Sequence, residues 1–397
     1  MWKRFACTLR CPLCRGTLGL SVFEEEQVAP APAFVELARR RGLLDTDFST
    51  CVLNGLLVCT RCSLDYPIIR GLPVMVLYRT AAHRDFLAHL GDQPAGVKRP
   101  VRFADRQPEP GERFVMESFS REWNAYRYDG VLWKTSYQDQ EATFLREIGS
   151  PPRDALWSLE VGCGIGIMTS LAQRHFEVDA VGVDLSLAAL QASEHFRDNP
   201  FLHFVQASAF HLPFAKETFD IGYSRGVLHH TYSTRAAFEA IAPTCKQGGL
   251  MYLWVYGTQS IKASPFRRAA YALERLTRPV LARAPGSLPA TAFLSVAAVG
   301  YVAFNRLQRW RYPGIQRYDF NRGLHAARDR FTPRFAHRHP PEEVASWFSA
   351  AGFGEVEVVD WRIMPAAEQE NFRRNVGVRG RYGPIRAVST TASSNTS

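Results

Sequence analysis

The sequence predicts an α/β protein whose main domain is a doubly wound parallel sheet, preceded by a small metal-binding module. Three observations predict this fold class. Strand-like and helix-like segments alternate along residues 155–257. A glycine-rich turn separates the first strand of this region from its first helix. Two Cys-x-x-Cys pairs lie within the first 62 residues.

The composition is that of a globular protein with two or three domains. The chain has 397 residues, of which 46% are hydrophobic and 22% charged. Eight cysteines are too few for a disulfide scaffold in a chain of this length, so paired cysteines indicate metal. The N-terminus lacks the apolar segment of a secretory signal, and we therefore expect a cytoplasmic protein.

Residues 1–80 form the predicted metal-binding module. Two pairs of thiolates, each on a tight turn, suit a closed tetrahedral zinc site with a structural role. The alternative, a redox-active Cys-x-x-Cys, is weaker because no thioredoxin-like strand and helix surround either pair. The predicted zinc ligands are Cys11, Cys14, Cys59 and Cys62.

Residues 81–110 mix proline, glycine and charged residues without apolar periodicity, which predicts a linker. Residues 111–257 begin with an aromatic helical stretch and continue as the alternating region. Its predicted strands are "ALWSLEVG", "DAVGVDLS", "LHFVQAS", "FDIGYSRG" and "LMYLWVYG". Strands that alternate with helices form parallel sheets.

Residues 258–335 interrupt the alternation, and the net positive charge of the chain is concentrated there. The whole chain has a net charge of +10, whereas residues 258–340 hold fourteen arginines and one lysine against three acidic residues. The uncharged stretch 284–305 is weakly hydrophobic, which favours a helical lid over a membrane span. Its basic flanks could contact an anionic membrane or an anionic substrate. An equally consistent interpretation is that the arginines form a solvent-exposed face of the lid.

Alternation resumes in residues 336–384, with the helix "PEEVASWFSAAGF" and the strand "GEVEVVDWRIM". The lid is therefore an insertion late in the sheet domain. Just before the sheet resumes, Asp329, Arg334 and His337 are candidate polar groups, and Arg334 would suit a carboxylate or phosphate. Residues 385–397, rich in serine and threonine, are predicted to be disordered.

The glycine-rich turn reads "LEVGCGIG" and suits a nucleotide-like ligand, because glycines let the backbone approach it. The spacing G-x-G-x-G differs from the dinucleotide-binding G-x-G-x-x-G. Asp184 ends the second strand, where a carboxylate can accept hydrogen bonds from ribose hydroxyls.

Four segments in order resemble class I S-adenosylmethionine-dependent methyltransferases, which have a Rossmann-like fold. They are "LEVGCGIG", "VGVDLS", "VQASAFHLPFAKETFDIGYSRGVLHH" and "APTCKQGGLMYLWVYG". The "LPF…FD" phrase resembles the ubiquinone/menaquinone type. One departure is Ser208, since the family usually has aspartate there.

The resemblance implies S-adenosylmethionine as cofactor. It places Glu160 and the glycines against the methionine moiety, Asp184 on the ribose and the residues after the third strand on the adenine. The predicted cofactor-binding residues are Glu160, Gly162, Gly164, Gly166, Asp184, Leu185, Ser208, Ala209 and Arg225.

Two histidines follow the fourth strand, at the carboxyl edge where ligands bind in such sheets. His230 is the first candidate for a general base and His229 the second, because imidazole titrates near neutral pH. An acceptor that is already nucleophilic would need no base. Phe119, Trp123 and Tyr126 either form a buried helix stripe, which the spacing favours, or fold over the substrate, as the family often does.

The cysteine-containing segments "CPLCRGTLGL" and "GLLVCTRCSLDYPIIRGLPVMV" resemble zinc-ribbon scaffold proteins that partner RNA and protein methyltransferases. The leading hypothesis is a small-molecule methyltransferase with a lipophilic or anionic substrate, in contact with a membrane through its lid. An rRNA or tRNA methyltransferase is the weaker alternative, because the charge lies in the lid and not in the ribbon. The third is a non-catalytic scaffold.

Overall fold

The computed structural model describes residues 1–90, 97, 99–124, 128–132, 135–259, 265–283, 286–311 and 315–383. The predicted disordered tail, 385–397, lies outside this part of the chain, as does Tyr126.

The N-terminal module is a four-stranded antiparallel sheet, as its alternating apolar segments require. Its strands follow the order β1-β2-β3-β4. A short helix fills the insert between the first two strands. The elements are β1 (Leu18–Gln27), α1 (Pro32–Arg40), β2 (Thr50–Cys59), β3 (Asp65–Ile69) and β4 (Leu72–Pro73).

The segment predicted as a linker contains a helix, α2 (Ala81–Leu90), that packs on the module. Phe86 and Phe103 are buried against Leu56 in one apolar cluster. The Arg99 guanidinium binds the buried Asp65 carboxylate at 2.6 and 2.8 Å. The predicted linker thus contains a helix and packs on the module, because its sparse apolar side chains find partners there.

The main domain is a seven-stranded sheet flanked by helices. Its first part contains α3 (Glu112–Trp123), the hairpin β5 (Val131–Leu132) and β6 (Thr135–Ser136), α4 (Tyr137–Ile148), β7 (Trp157–Val161), α5 (Ile167–Phe176), β8 (Asp179–Asp184), α6 (Ala188–His195), β9 (Leu202–Gln206), β10 (Phe219–Arg225), α7 (Thr234–Ile241) and β11 (Cys245–Val255). Its last part contains α11 (Pro341–Ala350), β12 (Phe353–Val358), α12 (Ala366–Arg374) and β13 (Val376–Tyr382).

The strand order is β12-β13-β11-β10-β7-β8-β9, and the doubly wound α/β fold is confirmed. β7 to β11 are parallel, whereas β13 runs antiparallel to both of its neighbours. The sequence analysis missed β13, because the glycines and arginines of "VGVRGRY" weaken its apolar pattern.

The lid inserted between β11 and β12 is helical, as predicted. It comprises α8 (Pro265–Arg283), α9 (Leu288–Arg311) and α10 (Phe320–Phe331). By length and composition alone, Leu288–Trp310 could cross a membrane: its most apolar window of 18 residues has a mean hydropathy of 1.5, and 22% of that window is buried. This stretch is therefore more hydrophobic than the sequence analysis expected.

The N-terminal module joins the main domain at the β9 edge of the sheet. The Met75 amide donates to the Gln206 carbonyl at 2.7 Å, which extends the sheet by one short bridge. On the same side, the Arg15 guanidinium donates to the Phe214 carbonyl at 2.9 Å. The module thereby supports the segment that follows β9.

A buried ion cluster strengthens this joint. Asp179, at the start of β8, pairs with Arg4 and with Arg41 at 3.0 Å, and the His203 ring lies 2.9 Å away. Asp179 is 1% exposed, and its basic neighbours lower the pKa of its carboxyl below the ordinary value. Both arginines belong to the N-terminal module, so one carboxylate ties two domains together.

We predict that Asp179→Ala lowers the free energy of unfolding by about 3–5 kcal/mol, because it leaves two buried guanidinium groups without their carboxylate. Urea unfolding followed by tryptophan fluorescence measures this change. The matched control is Glu36→Ala, which removes an exposed pair with Arg39 and should change stability by less than about 1 kcal/mol. Equal losses in the two variants would contradict the assigned role.

Candidate active site and metal centre

A large cavity lies at the carboxyl edge of the parallel strands, beneath the lid. Its volume is about 1160 Å³. The loops after β7, β8, β9 and β10 form one side, α3 forms another, and the lid helices close the far end. Pockets of roughly 300–1,000 Å³ hold one drug-sized ligand, so this cavity has room for two bound molecules.

The glycine loop between β7 and α5 has the backbone that its sequence predicts. Gly162, Gly164 and Gly166 all have positive φ angles, of 82°, 50° and 81°. A β-carbon on Gly164 would lie 2.8 Å from the Trp123 ring, so that position tolerates no side chain. Gly162 lines the cavity, whereas Gly164 and Gly166 lie behind its wall and shape the loop.

Two acidic residues flank this loop. Asp184 accepts hydrogen bonds from the Gly164 amide at 2.8 Å and from the amide and hydroxyl of Ser186, both at 2.7 Å. Glu160 accepts from the Thr169 hydroxyl, and burial raises the pKa of Glu160 to about 8. Both acids line the cavity. Asp184 therefore fixes the loop and still faces the ligand space.

Ser208 and Ala209, after β9, also line the cavity, as does Leu185 after β8. Glu112, from the first turn of α3, lines the cavity beside them. Burial raises the pKa of Glu112, whose carboxyl accepts from the Glu109 amide at 3.0 Å. Sequence reasoning missed Glu112. The sequence held one indication of Glu112: position 208 is serine, where the family usually has an aspartate.

Arg225 lies at the cavity wall, but its guanidinium is already engaged. It donates to Gln140 at 2.6 Å and pairs with Glu147 and Glu368, each at 3.3 Å. These carboxylates raise the pKa of Arg225 above its ordinary value. We therefore expect Arg225 to hold the wall in place, and its predicted contact with the cofactor stays a prediction.

His230 faces the cavity with one free nitrogen. Its Nδ1–H donates to the Phe335 carbonyl at 2.8 Å, and its Nε2 is buried with no hydrogen-bond partner among the described residues. The nearest carboxylate oxygen belongs to Asp329, 3.9 Å away. Burial lowers the pKa of His230 to about 4, so the ring is neutral at pH 7 and Nε2 carries a lone pair.

His229 cannot be the alternative base, which corrects the sequence analysis. Its ring is 0% exposed, stacks on Tyr256 with centroids 3.8 Å apart and does not line the cavity. The two histidines lie in one short 3₁₀ helix, and only one of them can point toward the ligand space.

Phe119 and Trp123 of α3 cover the cavity. Both are half-buried and line it, and the Phe119 ring centroid lies 5.3 Å from that of His230. The core stripe that the spacing favoured is therefore wrong for Phe119, whereas Trp123 also packs against the apolar core. Backbone spacing alone does not say whether a helix face meets protein or a cavity.

The lid contributes polar groups that sequence reasoning did not single out, apart from Asp329. Burial raises the pKa of Asp329 to about 6, and the Tyr256 hydroxyl donates to it at 3.1 Å. Arg330 and Arg338 line the cavity and share the fully buried Glu274 at 2.8 and 3.2 Å. Arg334, by contrast, is exposed, and neither it nor His337 lines the cavity.

The four predicted zinc ligands come together in the N-terminal module. Their sulfur atoms all lie within 4.8 Å of one another, with Cys11 and Cys62 at 3.6 Å and Cys14 and Cys59 at 3.4 Å. A tetrahedral Zn–S₄ site requires about 3.8 Å between sulfurs. The Arg61 and Cys62 amides point at the Cys59 sulfur, each at 3.4 Å. The geometry fits a structural zinc ion.

Two family models match the chain, a methyltransferase domain at residues 159–253 and a Trm112p-like protein at residues 3–71. The chain thus joins a class I methyltransferase domain to a Trm112-like N-terminal domain, as the sequence motifs predicted. Phosphoethanolamine N-methyltransferase 3 of Arabidopsis thaliana is 32% identical over 109 residues, which are 27% of this chain and 22% of that protein. The match thus spans about a fifth of that relative.

Two solved structures are similar at low identity. A complex of the Haloferax volcanii Trm112 methyltransferase activator with a methyltransferase has a TM-score of 0.39 at 12% identity, covering 70% of this chain and 100% of the other. Haemonchus contortus phosphoethanolamine N-methyltransferase 2, with phosphomonomethylethanolamine and S-adenosylhomocysteine, has a TM-score of 0.41 at 15% identity, covering 70% and 62%.

We predict one zinc ion per chain, lost in Cys59→Ser. Because the ribbon holds Arg15 against the segment after β9, loss of zinc should also lower the melting temperature of the main domain. Elemental analysis and calorimetry of the same sample measure both effects. Cys7→Ser is the control, since Cys7 is exposed and lies outside the cluster. Full zinc content in Cys59→Ser would contradict the assigned ligands.

Proposed function

We propose that this chain, which joins a methyltransferase domain to a Trm112-like domain, transfers a methyl group from S-adenosylmethionine to a small molecule. The observation that carries the proposal is one cavity of about 1160 Å³ in which the glycine loop, Asp184 and the free Nε2 of His230 share a wall. That volume suits a donor and an acceptor side by side.

The residues at one end of the cavity fit S-adenosylmethionine. Glycines with positive φ leave room at the loop, Asp184 offers carboxylate oxygens for ribose hydroxyls, and Ser208 with Glu112 offers polar atoms for the adenine. Glu160 stands beside the loop for the methionine part. When bound, the cofactor supplies a methyl group attached to a positively charged sulfur.

His230 is the proposed general base. Because Nδ1–H is held by the Phe335 carbonyl, the ring is fixed in the tautomer whose Nε2 lone pair is available. A neutral imidazole can take a proton from an acceptor oxygen, nitrogen or carbon as the methyl group is transferred. Asp329 lies close enough to stabilise the imidazolium that forms. Phe119 and Trp123 shield the site from water.

The lid end of the cavity favours an acceptor that is both lipophilic and anionic. Apolar side chains of α9 line it, including Phe293, Val296 and Phe304. Arg330 and Arg338 add positive charge beside them, and together with Arg278 they give three guanidinium groups against the two carboxylates of Glu274 and Asp329. Such an arrangement suits a chain that ends in a phosphate or carboxylate.

Two alternatives are less well supported. An RNA methyltransferase needs phosphate-binding charge on an open face, whereas here the lid's charge lies among exposed apolar residues over the cavity. A non-catalytic scaffold would not need the retained glycine loop and Asp184. Paired cysteines that bind zinc in a chain with few cysteines are typical of a reducing compartment, and we propose a cytoplasmic protein that contacts membranes peripherally.

Binding of the cofactor is the first test. We predict that calorimetry shows micromolar binding of S-adenosylmethionine, weakened at least about 100-fold in Asp184→Ala, because the loop loses its anchor and the ribose its acceptor. Asp154→Ala is the control, since Asp154 is an exposed carboxylate outside the cavity. Absence of binding by the folded, zinc-loaded protein would favour the scaffold.

The base is tested by activity and pH. We predict that His230→Gln lowers methyl transfer to chloroform-soluble acceptors by about 10²–10⁴-fold with unchanged cofactor binding, whereas His175→Gln, remote from the cavity, has no effect. Because the pKa of His230 is about 4, the base is unprotonated at neutral pH. The rate of methyl transfer should therefore fall with decreasing pH only below about pH 5, and not near pH 6.5 as for an ordinary histidine. An unchanged rate would mean that the acceptor needs no base.

A further inference from the structure

Exposed apolar side chains are concentrated on the lid. Among the residues that the structure describes, seventeen large apolar side chains are exposed, and ten of them lie in the lid. The lid makes up about a fifth of the chain, so this enrichment points to a surface that something covers. The ten are Leu273, Leu276, Val280, Leu288, Val296, Val299, Phe304, Leu307, Trp310 and Phe320.

On α9 these residues form a stripe along one helix face. Val296, Val299, Leu307 and Trp310 recur at helical spacing and are 60–91% exposed. The opposite face is buried: Leu294 and Ala298 are almost inaccessible. The helix is therefore apolar on both sides, and only one side has a partner in the described residues.

Helix α8 repeats this pattern. Leu273, Leu276 and Val280 follow one another at spacings of three and four and are 51–75% exposed. The buried face carries Leu281 and the ion pair between Glu274 and Arg278. Each of the two helices thus carries a row of exposed apolar side chains on one face, whereas its other face is packed.

The charge beside the two stripes has one sign. Arg268, Arg275 and Arg283 are exposed on α8, and Arg306 and Arg309 on α9. Glu274 is the only acidic residue of α8, where it is fully buried, and α9 contains none. An apolar row flanked by guanidinium groups complements a surface of hydrocarbon beneath negative headgroups.

The cavity reaches the same face of the lid. Leu273 of α8 and Val296 and Phe304 of α9 line the cavity and are also 51%, 74% and 47% exposed. The wall of the space that would hold the acceptor therefore adjoins the apolar stripes.

We propose that the outer face of α8 and α9 docks on an anionic lipid bilayer, and that the acceptor, a lipid, enters the cavity from that bilayer. The docking surface stands on the exposure and charge of the lid alone. The identification of the acceptor rests also on the proposed function, since it takes the cavity to be the site of methyl transfer.

The geometry favours a helix that lies in the interface over one that spans the bilayer. Asn305, 2% exposed in the C-terminal third of α9, accepts from the Tyr318 amide at 2.8 Å and donates to the Gln316 carbonyl at 3.1 Å. A β-carbon on Gly323 of α10 would lie 2.6 Å from the Ala298 carbonyl, so the two helices are in close contact. Spanning would break these contacts and expose a polar amide to lipid.

Co-sedimentation of the full zinc-loaded chain with vesicles tests the docking surface. We expect binding to vesicles of phosphatidylcholine with 30% phosphatidylglycerol, and at least tenfold weaker binding after Leu276→Ser, Leu307→Ser and Trp310→Ser are combined. The matched control combines Leu44→Ser, Leu156→Ser and Val358→Ser, three exposed apolar residues outside the lid, and should bind like the wild type.

The charge is tested separately. Combining Arg275→Gln, Arg306→Gln and Arg309→Gln should weaken binding to the anionic vesicles on the order of 100-fold at low salt, because each cation near the surface contributes about a fivefold factor. Binding of the wild type should fall as salt rises.

Three outcomes would overturn the proposal: no association of the folded protein with anionic vesicles, resistance to alkaline carbonate extraction, which would indicate a span, or a dimer in light scattering that the lid triple variant dissociates. None of the substituted lid residues lines the cavity, so cofactor binding by calorimetry should be unchanged in them. If the protein binds vesicles but not the cofactor, the methyltransferase proposal is wrong and the docking surface is still supported.

Discussion

The site depends on one constraint, the parallel register of the central strands. Glu160 of β7 lies opposite Gly182 of β8, and Asp184 opposite Gln206 of β9. Because parallel strands end at the same edge, the loops that follow them meet there. Residues more than twenty positions apart thus share one wall, and each strand needs only to carry the right residue at its end.

The parts of the site that could be predicted from the sequence are those built by this rule. Glu160 and Asp184 lie at the ends of buried strands, Ser208 comes just after one, and the Cys-x-x-Cys spacing brings each pair of cysteines together. Glu112, Arg330 and Arg338 could not be predicted, because they come from helices and a loop whose placement depends on tertiary packing. The sequence could not show which of His229 and His230 faces the cavity either, since that depends on the conformation of a single 3₁₀ turn.

The lid shows the same limit on a larger scale. Its helical character and charge were readable from the arginine-rich flanks and the alanine-rich centre. The sequence does not show which face of α9 is covered, because that helix is apolar on nearly all sides. Only a few specific contacts decide its orientation, among them the buried amide of Asn305 and the missing side chain of Gly323.

The joint between the zinc module and the sheet has a further consequence. Its contacts are apolar as well as polar. Phe5, Leu37 and Val74 pack in apolar clusters with main-domain residues, beside the strand bridge and the ion pair of Arg4 with Asp179. The covalent tether also keeps each half at an effective concentration in the millimolar range of the other. Occupancy of this interface therefore does not depend on how much of either half a cell makes.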